Sequence, residues 1–198
     1  MSRISKIDHR DWDPELRELT QADQATVLER GTMRIMAHKP ETAKGFARFF
    51  GAMVADRTLP ERLLELVRLR IAFHNQCRSC MAVRYAAPAA EGVDEALVCS
   101  LERPLEAENL SEREKLAIDY GERLATRHLT LDDAYHDRLR ELFTEPEIVE
   151  LGMFCALCVG FGRLGASWDM VEELPASFQK RGEAPITPWA QDEVVGVR

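Results

Sequence analysis

The sequence predicts an all-α protein, because helix-start signals recur along the chain, apolar residues between them follow the helical period, and strand-like alternation is almost absent. Capping-box sequences, in which a hydroxyl and a carboxylate satisfy unpaired N–H groups at a helix start, stand at Thr58–Glu61, Ser111–Glu114 and Thr144–Glu147. Proline in a first helical turn marks two further starts, at Asp13-Pro14 and Lys39-Pro40.

These signals, taken in chain order, define a single all-α domain over residues 1–174. The expected helices lie at about 14–30, 40–56, 59–73, 76–91, 94–102, 111–127, 131–142 and 145–172. The third helix has a broad apolar stripe, which we assign to the core, formed by Leu63, Leu66, Val67, Leu69 and Ile71. Gly92 is expected to end the fourth helix, and Asp94 to cap the fifth.

The last part of the chain, residues 175–198, is predicted to be an extended tail. Pro175, Pro185, Pro188 and Gly182 interrupt any helical pattern there. The tail carries two aromatic side chains that need burial, Phe178 and Trp189. These anchors either pack on a neighbouring subunit or on the chain's own domain, and the sequence leaves both open.

Composition excludes several classes of partner. The net charge of −8 argues against binding to nucleic acid or to an anionic membrane surface. No apolar run reaches the roughly 20 residues of a membrane span, and the first residues lack a secretory-signal pattern. We therefore expect a cytoplasmic protein. Five cysteines, an odd number, disfavour a structural disulfide framework and give weight to a catalytic or metal-binding CxxC.

The first CxxC, Cys77-Arg78-Ser79-Cys80, follows a long amphipathic helix. With Asn75 as N-cap, Cys77 would lie in a first helical turn, where the helix dipole favours a thiolate. Cys80 would lie on the same face, so the pair can cycle between dithiol and disulfide.

The second CxxC, Cys155-Ala156-Leu157-Cys158, lies inside an apolar helix and is interpreted as core packing. A four-thiolate zinc site built from both pairs is disfavoured by that geometry, so we expect no metal. Gly160, Gly162 and Gly165 nearby are interpreted as close helix packing. Cys99 is read as a helix residue without a chemical role.

The order and spacing of several segments resemble those of the carboxymuconolactone decarboxylase and alkylhydroperoxidase D superfamily over roughly residues 30–170. They are Leu59–Ala72 followed by Asn75–Cys80, the lead-in Met36–Glu41, Leu110–Glu114 with Ala117 and Tyr120, and Glu147–Leu151. The resemblance implies an alkylhydroperoxidase D-like helical bundle and an obligate homo-oligomer, often a trimer or a hexamer. It also implies that the cysteine pair reduces a small hydroperoxide and that an external thiol or disulfide reductant returns the oxidised pair to the dithiol. No cofactor is expected.

In the peroxidases of this family, a glutamate precedes the first cysteine by twelve residues, and a histidine follows the second by four. Glu65, Cys77 and Cys80 match this motif, but Arg84 stands where the histidine is expected. We expect Arg84 to lie one helical turn beyond Cys80, to hold a thiolate and to pair with Glu65.

Guanidinium cannot act as a base, so the proton shuttle is lost. The nearest candidates to replace it are His74, which is alternatively a structural residue, and Tyr85. Glu65 is alternatively a solvated or salt-bridged helix residue.

The residues together with the resemblance leave two functions open and a third in reserve. The first is a thiol oxidoreductase that reduces hydroperoxides; the helix start favours attack by Cys77, whereas the Arg84 neighbour favours Cys80. The second is an acid–base enzyme of the decarboxylase or lactone type, in which Arg84 would clamp a substrate carboxylate. The third is a redox-sensing oligomer without fast turnover.

Overall fold

A computed structural model describes residues 1–180 and 185–198, and it is mostly helical, as the sequence predicted. The α-helices are α1 Pro14–Leu19, α2 Val27–Arg30, α3 Met33–Met36, α4 Pro40–Ala55, α5 Glu61–Asn75, α6 Arg78–Ala82, α7 Ala86–Ala90, α8 Glu95–Cys99, α9 Glu112–Thr126, α10 Asp133–Leu142, α11 Glu145–Trp168 and α12 Ala176–Gln179. Short 3-10 turns stand at His9–Asp11, Ser100–Glu102, Pro104–Glu106 and His128–Thr130. Two short strands, β1 Val83–Tyr85 and β2 Val195–Val197, pair in parallel.

The core forms where α5 packs between α9 and α11. The predicted stripe of α5 is buried, and Leu66, Val67 and Ile71 are wholly enclosed. Gly121 of α9 faces this stripe, and a Cβ atom there would lie 2.8 Å from a Val67 methyl group. Glycine therefore allows α9 to approach α5 closely.

Helices with strong local signals match the expected boundaries. The helices α4, α5, α9, α10 and α11 begin within two residues of their predicted starts, since their caps and apolar periods are encoded locally. The capping boxes Ser111–Glu114 and Thr144–Glu147 are both formed, and Asp13 and Asp94 cap α1 and α8.

The predicted capping box Thr58–Glu61 is wrong. Pro60 is the N-cap of α5, without a side-chain cap. The Thr58 hydroxyl and backbone N–H donate to Glu150 of α11, at 2.5 and 3.0 Å. Glu61 pairs with Arg57. A carboxylate from another helix thus takes the place of the local one.

Two predicted helices are broken. The span 14–30 ends at Leu19, turns through Gln21 at φ 49° and restarts after Thr26, whose capping box begins α2. The span 76–91 divides into α6, β1 and α7. β1 is extended because it pairs with β2, more than one hundred residues further along the chain. No local signal carries that information.

The tail folds back on its own chain. Phe178 of α12 is fully buried among residues that include Ala72 and Met81, and Trp189 packs at a tilt against Phe73 with ring centroids 4.8 Å apart. This settles the alternative left open for the two aromatic anchors. The predicted break at Gly182 lies outside the described residues.

In the described part of the chain, one helix, α11, is long and apolar enough to cross a membrane by length and composition, which the sequence analysis did not anticipate. A central helix of a bundle has the same character, and α11 packs on α5 and α9. Only 22% of its apolar window is buried within the chain, which leaves much of one face uncovered.

Candidate redox site at Cys77 and Cys80

The CxxC motif lies in a junction between two helices. Asn75, predicted to start a helix, is instead the last residue of α5, and its buried amide donates to the carbonyl oxygen of Cys158 at 2.9 Å. Gln76 follows in the left-handed conformation at φ 50°. Cys77 is the N-cap of α6, so it does not lie in the first turn as predicted. Because α6 has five residues, its dipole offers little help to a thiolate.

Cys77 and Cys80 form a disulfide, with Cα atoms 5.2 Å apart. Cys77 is 1% exposed, whereas Cys80 is half-buried. Cys80 packs against the apolar cluster that contains Ala72 and Phe178. The two residues therefore differ in exposure, and Cys80 is the one that has surface open to solvent.

Glu65 is buried, with 3% of its surface exposed, and it pairs with Arg68 rather than with Arg84. Both of its carboxylate oxygens accept hydrogen bonds from Arg68, each at 2.6 Å. Burial acts to lower the pKa of Arg68, but the adjacent Glu65 carboxylate outweighs it and raises that pKa overall. The glutamate is therefore a structural ion-pair partner, in line with the salt-bridged alternative.

Arg68 is the site residue that the sequence analysis missed. Its other N–H groups donate to the carbonyl oxygens of Cys80 and Val83, the latter at 3.0 Å. Its guanidinium also lies over the Tyr85 ring, 5.0 Å from the centroid. The signal that could have found Arg68 is its position three residues after Glu65, on the same helix face. Arg68 ties the buried carboxylate to the C-terminal end of α6.

Arg84 lies in β1, not on a helix beyond Cys80, so its predicted position and partner are wrong. Its guanidinium makes two bonds to Glu95, at 2.7 and 3.1 Å. The remaining three N–H groups donate to the carbonyl oxygens of Met81, Val83 and Pro188, at 2.8, 3.0 and 2.7 Å. All five donors of a guanidinium are thereby engaged, which leaves none for a substrate carboxylate.

His74, proposed from the sequence as a substitute shuttle, faces α9. Its Nε2 atom lies 3.4 Å from a carboxylate oxygen of Glu122, at ion-pair distance without hydrogen-bond alignment. His74 is the main cause that lowers the pKa of Glu122 to about 2; burial opposes this shift and Arg70 adds to it. The described partner of His74 is thus a carboxylate, while Tyr85 is exposed at the edge of the site.

Helix α11 packs closely against the helix junction at two of its glycines. A Cβ atom on Gly162 would lie 2.5 Å from the Asn75 amide, and one on Gly165 would lie 3.7 Å from the Cys77 sulfur. The interpretation of these two glycines as packing residues is confirmed. Gly160 is exposed with nothing nearby, so that interpretation is wrong there.

The second CxxC lies in uninterrupted α11, and both of its thiols are free. Burial raises the pKa of Cys155 well above the ordinary thiol value, with Cys158 adding to the shift. Burial likewise raises the pKa of Cys158 to about 12, although the charge of Arg68 opposes it. Cys155 is wholly buried, as core packing requires.

Cys99 is an exposed free thiol at the end of α8. Within residues 1–180 and 185–198, no three His, Cys, Asp or Glu side chains come together to hold a metal ion.

Comparison with known proteins agrees with this architecture. Residues 40–122 match the carboxymuconolactone decarboxylase family. Two uncharacterized proteins of Mycobacterium tuberculosis, MT2376 and Rv2313c, are each 35% identical over 112 residues, which cover 56% of this chain. The matched region spans only 39% of the length of either relative.

A solved structure shows the same fold. It is the alkylhydroperoxidase AhpD core of a peroxidase-related protein from Ralstonia eutropha JMP134, with a TM-score of 0.72. The similarity covers 93% of this chain and 98% of that one, at 18% identity.

Proposed function

We propose that this chain, whose residues 40–122 match the carboxymuconolactone decarboxylase family, is a thiol oxidoreductase that reduces hydroperoxides through Cys77 and Cys80. One observation carries the proposal. The two cysteines are within bonding distance in a junction between helices, and one of them is reachable from solvent. A pair so placed can open and close without breaking a long helix.

Cys80 is the attacking residue in this proposal, because Cys77 is enclosed. The Cys80 thiolate attacks the distal oxygen of the hydroperoxide and breaks the O–O bond, giving a sulfenic acid and an alkoxide that takes a proton from water. The Cys77 thiol then attacks the Cys80 sulfur, which forms the disulfide and releases water. The hydroperoxide is reduced by two electrons, and the cysteine pair is oxidised by two.

An external dithiol completes the cycle. Its thiolate attacks the sulfur of the more exposed residue, Cys80, and Cys77 leaves as a thiol after protonation. The second thiol of the reductant then displaces Cys80, so that the reductant leaves as a disulfide and the protein returns to the dithiol. The buried position of Cys77 makes attack at its sulfur less accessible.

The Glu65–Arg68 pair supports this chemistry by position. It is overall neutral, but its positive end contacts the backbone of Cys80 and favours negative charge nearby. Both Glu65 oxygens accept hydrogen bonds from Arg68, so in this proposal the carboxylate orients the arginine and takes no part in proton transfer. We therefore expect solvent to supply the proton, and peroxide turnover to be slower than thiol–disulfide exchange.

The acid–base alternative is less well supported. It requires Arg84 to clamp a carboxylate, and all five of its donors are engaged within the chain. A redox-sensing role without turnover uses the same disulfide, so an experiment must separate it from catalysis.

The separating experiment measures steady-state turnover of hydrogen peroxide and cumene hydroperoxide with dihydrolipoamide as reductant. We expect turnover by the full chain and its complete loss in Cys80→Ser, with Cys99→Ser as the matched control for an exposed thiol outside the site. Oxidation to the disulfide without turnover would assign the redox-sensing role. Equal turnover in Cys80→Ser would remove the proposal.

We further propose that the protein is a homo-oligomer that buries an apolar surface of α4 and α11. This α4–α11 face consists of exposed side chains, namely Phe49, Phe50, Val54, Met153, Phe161 and Leu164. Phe46 and Phe161 join the two helices, with ring centroids 4.3 Å apart. Apolar patches of this extent are uncommon on monomers, and a second copy of the chain is the partner that the superfamily favours.

Sedimentation at micromolar concentration tests this assembly. The full chain should sediment as a multiple of 22.5 kDa. The double variant Phe49→Ser/Phe50→Ser should dissociate, whereas Leu129→Ser, which alters an 87% exposed leucine elsewhere, should not. A wild-type monomer would exclude the assembly while leaving the redox chemistry untouched.

A further inference from the structure

The C-terminal segment, residues 185–198, returns to the redox junction and contacts the residue that precedes Cys77. The Gln76 side-chain amide donates to the Ile186 carbonyl oxygen at 3.0 Å and accepts from the Ile186 N–H at 2.9 Å. These two bonds reproduce the pairing of neighbouring strands with a side chain in place of one backbone. The start of the junction is therefore tethered to the segment.

The same segment also holds the far side of the junction. Arg84 donates to the Pro188 carbonyl oxygen at 2.7 Å. Val83 and Tyr85 pair in register with Val195 and Val197. The stretch that contains both cysteines is thus tethered at each end to one piece of chain.

Two anchors keep the C-terminal segment docked. Trp189 is 6% exposed and lies against Phe73 of α5. Arg198 donates from its backbone N–H and from Nε to Glu29, both at 2.9 Å. Arg198 is the main cause that lowers the pKa of Glu29 to about 2. Both anchors lie outside the cysteine motif.

We propose that residues 185–198 are a positioning segment that favours closure of the Cys77–Cys80 disulfide. A junction held at both ends keeps the two Cα atoms at a bridging separation, here 5.2 Å, and lowers the entropy that closure must overcome. Gln76 acts through the cysteines it positions and takes no part in the chemistry. The inference rests on the redox pair of the proposed function but does not require turnover of any peroxide.

Linkage makes the effect reciprocal: if docking favours the disulfide, the disulfide favours docking. Reduction should therefore loosen the C-terminal segment. The backbone amides of Val195–Val197 should exchange with deuterated solvent faster in the dithiol than in the disulfide.

The test measures the thiol–disulfide equilibrium of the full chain in buffers of reduced and oxidised glutathione. In this equilibrium two glutathione thiols reduce the protein disulfide and leave as one glutathione disulfide. Gln76→Asn keeps a residue that tolerates the left-handed conformation but shortens its reach to Ile186. Arg198→Ala releases the far anchor. Arg140→Ala, which removes the exposed ion pairs of α10 with Asp137 and Glu145 far from the junction, is the control for loss of a surface arginine.

We expect the equilibrium constant for disulfide formation to fall by about three- to tenfold in Gln76→Asn, the range for the net loss of one neutral hydrogen bond. It should fall less in Arg198→Ala and stay unchanged in Arg140→Ala. If both test variants kept the wild-type equilibrium constant, and the amides exchanged equally fast in the two redox states, the C-terminal segment would have a packing role only. If Gln76→Asn does not fold, Arg198→Ala and the amide exchange decide. A wild-type chain that forms no Cys77–Cys80 disulfide in these buffers would overturn both this inference and the proposed function.

Discussion

The chain contains two CxxC sequences with the same spacing and opposite environments. Cys77 and Cys80 flank the start of five-residue α6, in a junction where α5 has already ended. Cys155 and Cys158 lie within 24-residue α11. In a continuous helix, Cβ atoms three residues apart are about 5–6 Å from each other, whereas a disulfide needs about 3.5–4.5 Å. The backbone around the pair, more than the spacing, decides whether it can close.

Charge and the desolvation of the thiols reinforce that difference, although Cys80 and Cys158 are both half-buried residues. The pair at the junction includes a half-buried cysteine with the positive end of the Glu65–Arg68 pair at its backbone. In the helical pair, burial raises the pKa of both thiols and keeps them neutral. Arg68 influences both pairs, since it also opposes the shift at Cys158. Only the first pair is therefore suited to redox chemistry.

The largest expected effect comes from replacing the cysteines of each pair in turn and measuring reversible oxidation. In the wild-type chain, mild oxidation should remove two free thiols and dithiothreitol should restore them. Cys77→Ser or Cys80→Ser should abolish this reversible change, because no partner remains to close the disulfide. The double variant Cys155→Ala/Cys158→Ala should retain it. Thiol titration before and after oxidation measures the effect. Retained reversible loss in Cys80→Ser would mean that another pair closes.

The second expected effect concerns pH. Thiols react with iodoacetamide as thiolates, and the pKa of Cys158 is raised from 9.0 to about 12. A rise of that size lowers the thiolate fraction at neutral pH by roughly a thousandfold. In the reduced native protein, Cys158 should therefore stay unmodified as pH rises through the ordinary thiol range, while Cys80 becomes modified. Peptide mapping by mass spectrometry follows both. Equal modification rates would show that the two environments do not differ.

The third effect concerns Arg68, which contacts the junction and lies near the helical pair. Arg68→Ala leaves the Glu65 carboxylate buried without its partner, which costs about 3–5 kcal/mol of unfolding free energy. The two exposed ion pairs that Arg140→Ala removes, with Asp137 and Glu145, should each cost no more than about 1 kcal/mol. Urea denaturation measures both. A cost for Arg68→Ala similar to that of the control would show that the buried pair does not hold α6.

The smallest effect is expected at Arg84. Arg84→Ala should lower the unfolding free energy by about 1–3 kcal/mol, because Glu95 and several carbonyl groups lose a donor. Arg84→His cannot replace five donors and should not raise peroxide turnover, since the side chain at this position points to Glu95 and Pro188. Urea denaturation and turnover assays check the two statements. A gain of turnover in Arg84→His would restore the proton-shuttle interpretation drawn from the sequence.

The sequence could predict those parts of the fold that are encoded locally. The apolar stripe of α5 and the capping boxes of α9 and α11 carry their own signals, so these helices could be found. The break after Ala82 could not, because β1 exists through pairing with residues 195–197. A distant partner overrides the local helical pattern there.

The same limit applies to the site. The cysteine pair and Glu65 could be found from spacing, and Arg68, three residues after Glu65, shares its helix face. The sequence could not predict that Arg84 leaves the helix: it lies in β1, which pairs with the C-terminal segment, and there it donates to Pro188 and not to Glu65. His74 was likewise ambiguous, since its neighbour Glu122 belongs to another helix.

Disulfide mapping after treatment with peroxide tests the central claim most directly. The reduced full chain is exposed to one equivalent of hydrogen peroxide, remaining thiols are alkylated under denaturing conditions, and peptides are mapped by mass spectrometry. We expect a Cys77–Cys80 disulfide, with Cys99, Cys155 and Cys158 recovered as alkylated thiols. A Cys155–Cys158 disulfide, or oxidation of Cys80 that never reaches Cys77, would contradict the assignment of redox chemistry to the helix junction.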